Sequence, residues 1–188
     1  MPQTNTQKNS KGFTLVETMV AISILSISIL GIFTAVQNGL ATSGLAKDQI
    51  TAFYLVQESM EYIRNLRDEN GLKSLNEQAL GRAPVAWLNG IANVPSDPCY
   101  PGNTCTVDSS NSQLTRCSGG FGTCPFLLQD TNTLFFGYTS GWTQTKFKRE
   151  IQIQSVNANE IIIIVQISWT SGVFSRTIQV KQSLYNLR

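Results

Sequence analysis

Polar and apolar positions fall into distinct regimes along the chain. Residues 1–11 are short and polar, with Lys8 and Lys11. From Met19 to Val36 about eighteen residues carry no charge, and only Ser23, Ser26, Ser28, Gly31 and Thr34 interrupt the apolar run. At about 1.5 Å per residue a helix of this length reaches across a bilayer. Its hydroxyls are tolerable in lipid because serine and threonine bond back to the preceding turn or across to neighbouring helices. Beyond Val36 the pattern becomes amphipathic: Leu45, Phe53, Val56, Met60, Ile63 and Leu66 recur at three- and four-residue spacing, with Asp48, Glu58, Arg64 and Arg67 between them. No proline intervenes before Pro84, so the helix is predicted to continue and to pack one face on a domain. Asn70-Gly71 supplies a plausible end, through a left-handed glycine cap. A helix from Phe13 to Asn65 would be about 80 Å long, a length suited to an assembly. Gly31, Gly39 and Gly44 each cost roughly 1 kcal/mol against alanine, and predict a bend or local unwinding.

Leu72 to Leu80 reads as a second short helix. Gly81 to Thr133, rich in Pro, Gly, Ser, Asn and Cys, reads as an elaborated loop held by its cysteines. Trp87, Tyr100, Phe121 and Phe126 either pack that loop down or form a ligand-binding aromatic surface. From Leu134 the period changes to two: a short aromatic stretch to Tyr138, then Phe147, Ile151 and Ile153, then Ile161, Ile163, Val165, Ile167 and Trp169, then Phe174, Ile178 and Val180. Short turns at Asn157-Ala158-Asn159 and Ser171-Gly172 make these strands antiparallel neighbours, a meander on the helix. Ile161 to Val165 is apolar on both faces, so its second face is predicted to be covered by loops or a neighbouring subunit.

Composition narrows the function. The 188 residues make one domain once the membrane segment is set aside. There is no histidine, phosphate loop, nucleophile elbow or zinc-hydrolase motif, so the chain reads as a non-enzyme without cofactor or metal. Cys99, Cys105, Cys117 and Cys124 all lie beyond the apolar helix, where an exported domain meets oxidising conditions. Four cysteines allow three connectivities; short loops close readily, which favours Cys99 with Cys105 and Cys117 with Cys124. Zinc is the poorer alternative, with no Cys-x2-Cys pair.

Glu17 is the anomaly, since a carboxylate at full membrane depth costs roughly 2.5–3.5 kcal/mol unless position, protonation or a partner relieves it. The stretch Lys11-Gly12-Phe13-Thr14-Leu15-Val16-Glu17 resembles the cleavage motif of the type IV pilin and type II secretion pseudopilin family. A secretory signal cut near Ala41-Thr42-Ser43, or a plain signal anchor, accounts for the apolar run but not for Gly-Phe followed by Glu17. The resemblance implies that a prepilin peptidase cuts after Gly12, that Phe13 becomes the N-methylated first residue, and that Glu17 acts in assembly. Glu17 lies four residues from Phe13, on the same helix face, where a carboxylate can meet an α-amine. Of 14 lysines and arginines, removal of Lys8 and Lys11 leaves 12 against 12 acidic residues, so bulk charge draws the mature chain neither to nucleic acid nor to an anionic membrane. Nucleic acid is left open as a partner.

The resemblance further implies an α+β pilin fold: a long N-terminal membrane-spanning helix packed on a C-terminal antiparallel β-sheet, with a cysteine-containing loop insertion. The divisions are a leader peptide at 1–12, a transmembrane helix at 13–36, its amphipathic continuation at 37–70, a variable loop region at 71–133 and the sheet at 134–188. Gln57 to Arg64 and Ser183 to Arg188 look more like minor pilins and minor pseudopilins than major subunits. The expectation is therefore a minor pilin, held in the inner membrane by one span and then carried into an extracellular pilus or periplasmic pseudopilus. Its partners would be prepilin peptidase, other pilin or pseudopilin subunits and the assembly platform. A minor pseudopilin and a membrane-tethered surface- or DNA-binding module are the alternatives.

Overall fold

In a computed structural model, which describes Gly12 and residues 14–186, the first element is a 65-residue helix, α1 (Leu15–Ala79). The chain divides into two compact units, one ending at Ala46 and the other beginning at Lys47.

In the first unit the helix has no buried residue. Gly31, Gly39 and Gly44 lie within unbroken helix, so the predicted local unwinding does not occur. A single glycine costs a helix only about 1 kcal/mol, too little to open the ladder of backbone bonds, and the hydroxyls add to it: Ser23 Oγ donates to the Met19 carbonyl, Ser28 Oγ to Ile24 and Thr34 Oγ1 to Leu30, at 2.8, 2.8 and 2.9 Å. Back-bonded hydroxyls expose no unmet donor, which makes them compatible with an apolar surround.

In the second unit α1 buries a stripe through Asp48, Ala52, Leu55, Val56, Ser59, Met60 and Ile63. Phe53, expected on this face, is 53% exposed. At about 100° per residue it falls beside the stripe, whose centre is formed by the small Ala52 and Ser59. Asn70-Gly71 does not end the helix either. Asn70 Nδ2 instead donates to the carbonyls of Trp87 and Asn89, 3.3 and 2.8 Å away, tying α1 to the chain that returns beside it. The end comes at Gly81, with φ +71°. There the Arg82 amide reaches the Glu77 carbonyl at 2.9 Å and the Gly81 amide reaches Gln78 at 3.0 Å, the two bonds of a Schellman cap. Leu72–Ala79 is therefore the last two turns of α1.

Seven strands form one antiparallel sheet: β1 (Thr104–Asp108), β2 (Gln113–Arg116), β3 (Phe126–Gln129), β4 (Phe136–Gly137), β5 (Thr143–Asn157), β6 (Glu160–Ser171) and β7 (Phe174–Tyr185). The meander β5-β6-β7 matches the period-two reading, and Ile161, Ile163, Val165, Ile167 and Trp169 are all buried. The region 71–133 is not a loop insertion throughout, because it supplies β1, β2 and β3. Strand β5 pairs with β6 along one edge, while β1 and β3 share the other, at Gln152/Ile151 and at Lys148 to Thr143. Such strands escape a periodicity search because β1, Thr-Cys-Thr-Val-Asp, is buried at every position and three of its five residues are polar.

The core lies between α1 and the sheet, with Leu55, Val56 and Ile63 packed with Phe147, Ile151, Ile163, Val165 and Trp169. Consecutive charges in β5 project to opposite faces and each finds a partner. Arg149, fully buried, donates through Nη1 to Glu58 Oε2 at 2.6 Å and through Nη2 to the Val107 carbonyl at 2.5 Å. Glu58, which the helical pattern placed among solvated residues, thus fastens α1 to the sheet; it also accepts from Ser109 Oγ. Asp48, read the same way, is buried and bonded to Lys146 Nζ at 2.6 Å. On the outer face Glu150 accepts the amides of Gly122 and Cys124 at 2.6 and 3.1 Å. The segment around Cys124 therefore covers part of the second face of the sheet, the face that also buries Ile164.

Candidate functional site

The N-terminal motif lies at the start of α1. Gly12 is exposed and Phe13 lies outside the described residues. Thr14 is the N-cap, because its Oγ1 accepts the Glu17 amide at 3.2 Å, satisfying one of the four donors a helix start leaves unpaired. Thr14-x-x-Glu17 is the spacing of a capping box, a signal present in the sequence that a search for cleavage residues alone passes over. Glu17 sits in the first turn, where the helix dipole favours a negative charge. It is exposed, with no partner for its carboxylate among the described residues. The surrounding Leu15, Val16, Met19 and Val20 are each more than half exposed. An unpaired carboxylate within an apolar helix surface is chemically a recognition group for a cation.

The cysteines lie elsewhere, in the second unit. Cys99 is bonded to Cys105 and Cys117 to Cys124, and neither a free thiol nor a metal cluster occurs among the described residues. The first bridge joins the chain returning from α1 to β1; the second closes the segment that covers Glu150. Of the four aromatics of this region, Trp87 packs against the core, Tyr100 and Phe121 are half-buried, and Phe126 lies under Lys148 Nζ at 4.7 Å from its ring centre.

A second polar cluster lies beneath the β1–β2 turn. Burial alone pushes the Asp108 carboxyl up, but bonds from Ser110 and Asn111 side chains and from the Tyr138 amide outweigh it and hold it below the usual carboxylate range. Burial pushes the Tyr138 hydroxyl up; it is bonded to Thr106 Oγ1 at 2.6 Å. Both carboxylate oxygens of Asp108 are met within the protein, which makes the cluster a structural lock.

Residues 7–33 match the family model described as the prokaryotic N-terminal methylation motif. The chain carries a type IV pilin-like prepilin signal. The match covers the N-terminal segment, including Gly12, Phe13 and Glu17. No curated protein and no solved structure matches the chain. The long apolar helix on an antiparallel sheet is consistent with the pilin fold that accompanies such a signal, and α1 is long and apolar enough to cross a membrane. The signal therefore sits at the start of a helix with the length and apolar character of a membrane span.

Proposed function

We propose that this protein is a minor pilin, a structural subunit of a type IV pilus or related fibre. In this reading prepilin peptidase removes residues 1–12 on the cytoplasmic side, Phe13 is methylated, and residues 13–36 hold the subunit in the inner membrane until the assembly platform moves it into the fibre. The observation that carries the reading is the prepilin signal on a helix whose first unit buries nothing within its own chain. Such a surface must be covered by lipid before assembly and by other subunits after it. Glu17 would then pair with the methylated amine of an adjacent subunit, because in a dry helix bundle an unpaired carboxylate is costly and a cation relieves it. The likeness of Gln57 to Arg64 and Ser183 to Arg188 to minor subunits supports the finer assignment.

Intact-mass analysis of the protein from cells with and without the peptidase tests the processing. The two masses should differ by residues 1–12, corrected for one methyl group; a mature start near Ser43 would rule the reading out. Assembly is tested by Glu17→Gln, which keeps shape and loses charge. The ratio of subunit in sheared fibres to subunit in the membrane should fall at least about tenfold, the loss corresponding to one charge-assisted contact, while cleavage continues. Wild-type incorporation of this variant would show that helix shape alone recruits the subunit. A pseudopilus subunit would pass the mass test but remain in the cell envelope when fibres are sheared.

A further inference from the structure

The two disulfide-closed rings meet at one place. Residues 99–105 form the first ring and 117–124 the second; the Cys117 amide donates to the Thr104 carbonyl at 2.8 Å, and Cys105 pairs with Arg116 across β1 and β2. Between them lies a polar pocket of about 400 Å³, lined by Gly102, Asn103, Arg116, Cys117, Ser118 and Gly119. Its walls are covalently closed, and Gly102, at φ +95°, turns one of them through a backbone conformation that side-chain-bearing residues rarely adopt. The pocket is therefore preorganised: a ligand entering it orders little that the bridges have not already ordered.

Its chemistry is one-sided. Arg116, exposed at the end of β2, has neither a carboxylate nor a carbonyl partner among the described residues; Arg64, Arg67, Arg82 and Arg149 are paired, whereas Arg176 is not. The Asn103 side-chain nitrogen is buried and has no acceptor. No acidic residue lines the pocket. An unpaired guanidinium fork and an unmet amide donor, with no carboxylate beside them, match a compact oxyanion.

The geometry points to a binding site for a tetrahedral oxyanion, a phosphate or sulfate group free or borne on a larger molecule, held by Arg116 between the two disulfide rings. The site is independent of how the N terminus is processed, and its failure would leave the pilin reading untouched. The test uses the full chain in uncharged detergent micelles, titrated with inorganic phosphate, inorganic sulfate and glycerol phosphate at constant ionic strength and followed by amide and arginine side-chain NMR. Saturable shifts are expected at Gly102, Asn103, Ser118, Gly119 and the Arg116 side chain. Equal response to the free ions and to the ester places the site on exposed end groups as well as on free ions; a response to the free ions alone assigns it to those. Arg116→Gln should weaken the response about tenfold or more, Arg116→Lys by less because charge survives without the fork, and Arg82→Gln not at all. Shifts that do not saturate, that persist in Arg116→Gln, or that spread equally over other basic residues would overturn the site.

Discussion

The two units divide a single helix into stretches that obey different rules. Through the first, Leu25, Ile27, Ile29, Leu30, Ile32 and Phe33 are all at least half exposed, although no charge interrupts them. Through the second the helix is far more polar, yet Ala52, Leu55, Val56 and Ile63 are almost completely buried. Apolar content and burial are therefore inversely matched along α1. Burial within a chain is decided by what the rest of the chain places opposite a residue, and within the second unit that is the sheet. The first stretch leaves its apolar surface uncovered by its own chain.

The comparison is broken most sharply by one substitution made twice. Ile63→Ala removes a side chain with no exposure, and should destabilise the second unit by about 2–5 kcal/mol. Ile29→Ala removes the same atoms from a half-exposed position and should change that stability by less than about 0.5 kcal/mol. Denaturant unfolding of the full chain in micelles, read by the fluorescence of Trp87, Trp142 and Trp169, reports the second unit alone because all three lie in it. Comparable losses for the two variants would mean that the halves do not behave as separate units.

A smaller effect is expected at Gly137. A Cβ there would meet Asp108 Oδ1 at 2.8 Å, Ser110 Oγ at 2.9 Å and Trp142 at 3.0 Å. Gly137→Ala should lower the same unfolding free energy by about 1–3 kcal/mol, with the first stretch of α1 still fully helical by circular dichroism. An unchanged midpoint would show that the Asp108 cluster yields without cost.

The mildest test is pH. Asp108 has a lowered folded pKa, so its hydrogen bonds contribute stability that is present above the unfolded carboxylate value of about 3.9 and is lost as pH falls through that value toward the folded one. Unfolding midpoints measured from pH 7 to pH 3 should fall less steeply in Asp108→Asn than in the wild type, the variant being less stable at pH 7. Parallel curves would assign the acid sensitivity to other carboxylates.

Much of this was legible in the chain, and the misses share a cause. The strands β5, β6 and β7 follow from alternation at Ile151, Ile153 and Ile161 to Trp169, because a sheet with one buried face writes its period into the residues themselves. The helix end was misplaced because Asn70-Gly71 is a good local stop, overridden when Asn70 found two carbonyls in the returning chain; the glycine that does cap, Gly81, differs only in its tertiary setting. Glu58 and Asp48 fall between the apolar positions of the helix, where charged residues are usually solvated, and nothing local marks Arg149 or Glu150. Their pairing depends on partners 91, 98 and 26 to 28 positions away, which no local pattern encodes.

By itself, then, the sequence determined what depends on neighbours along the chain: an uncharged membrane-length helix, a prepilin signal with Thr14 and Glu17 one turn apart, and the meander at its end. Only the tertiary structure decided which stretch of α1 is buried, that β1 and β3 complete the sheet on the far edge of β5, which ionic groups are paired across it, and that two cysteine rings enclose a pocket beside Arg116. The first kind of information is local because backbone propensity and periodicity act over a few residues. The second is not, because hydrogen bonds and packing between distant segments exist only once the chain has brought those segments together.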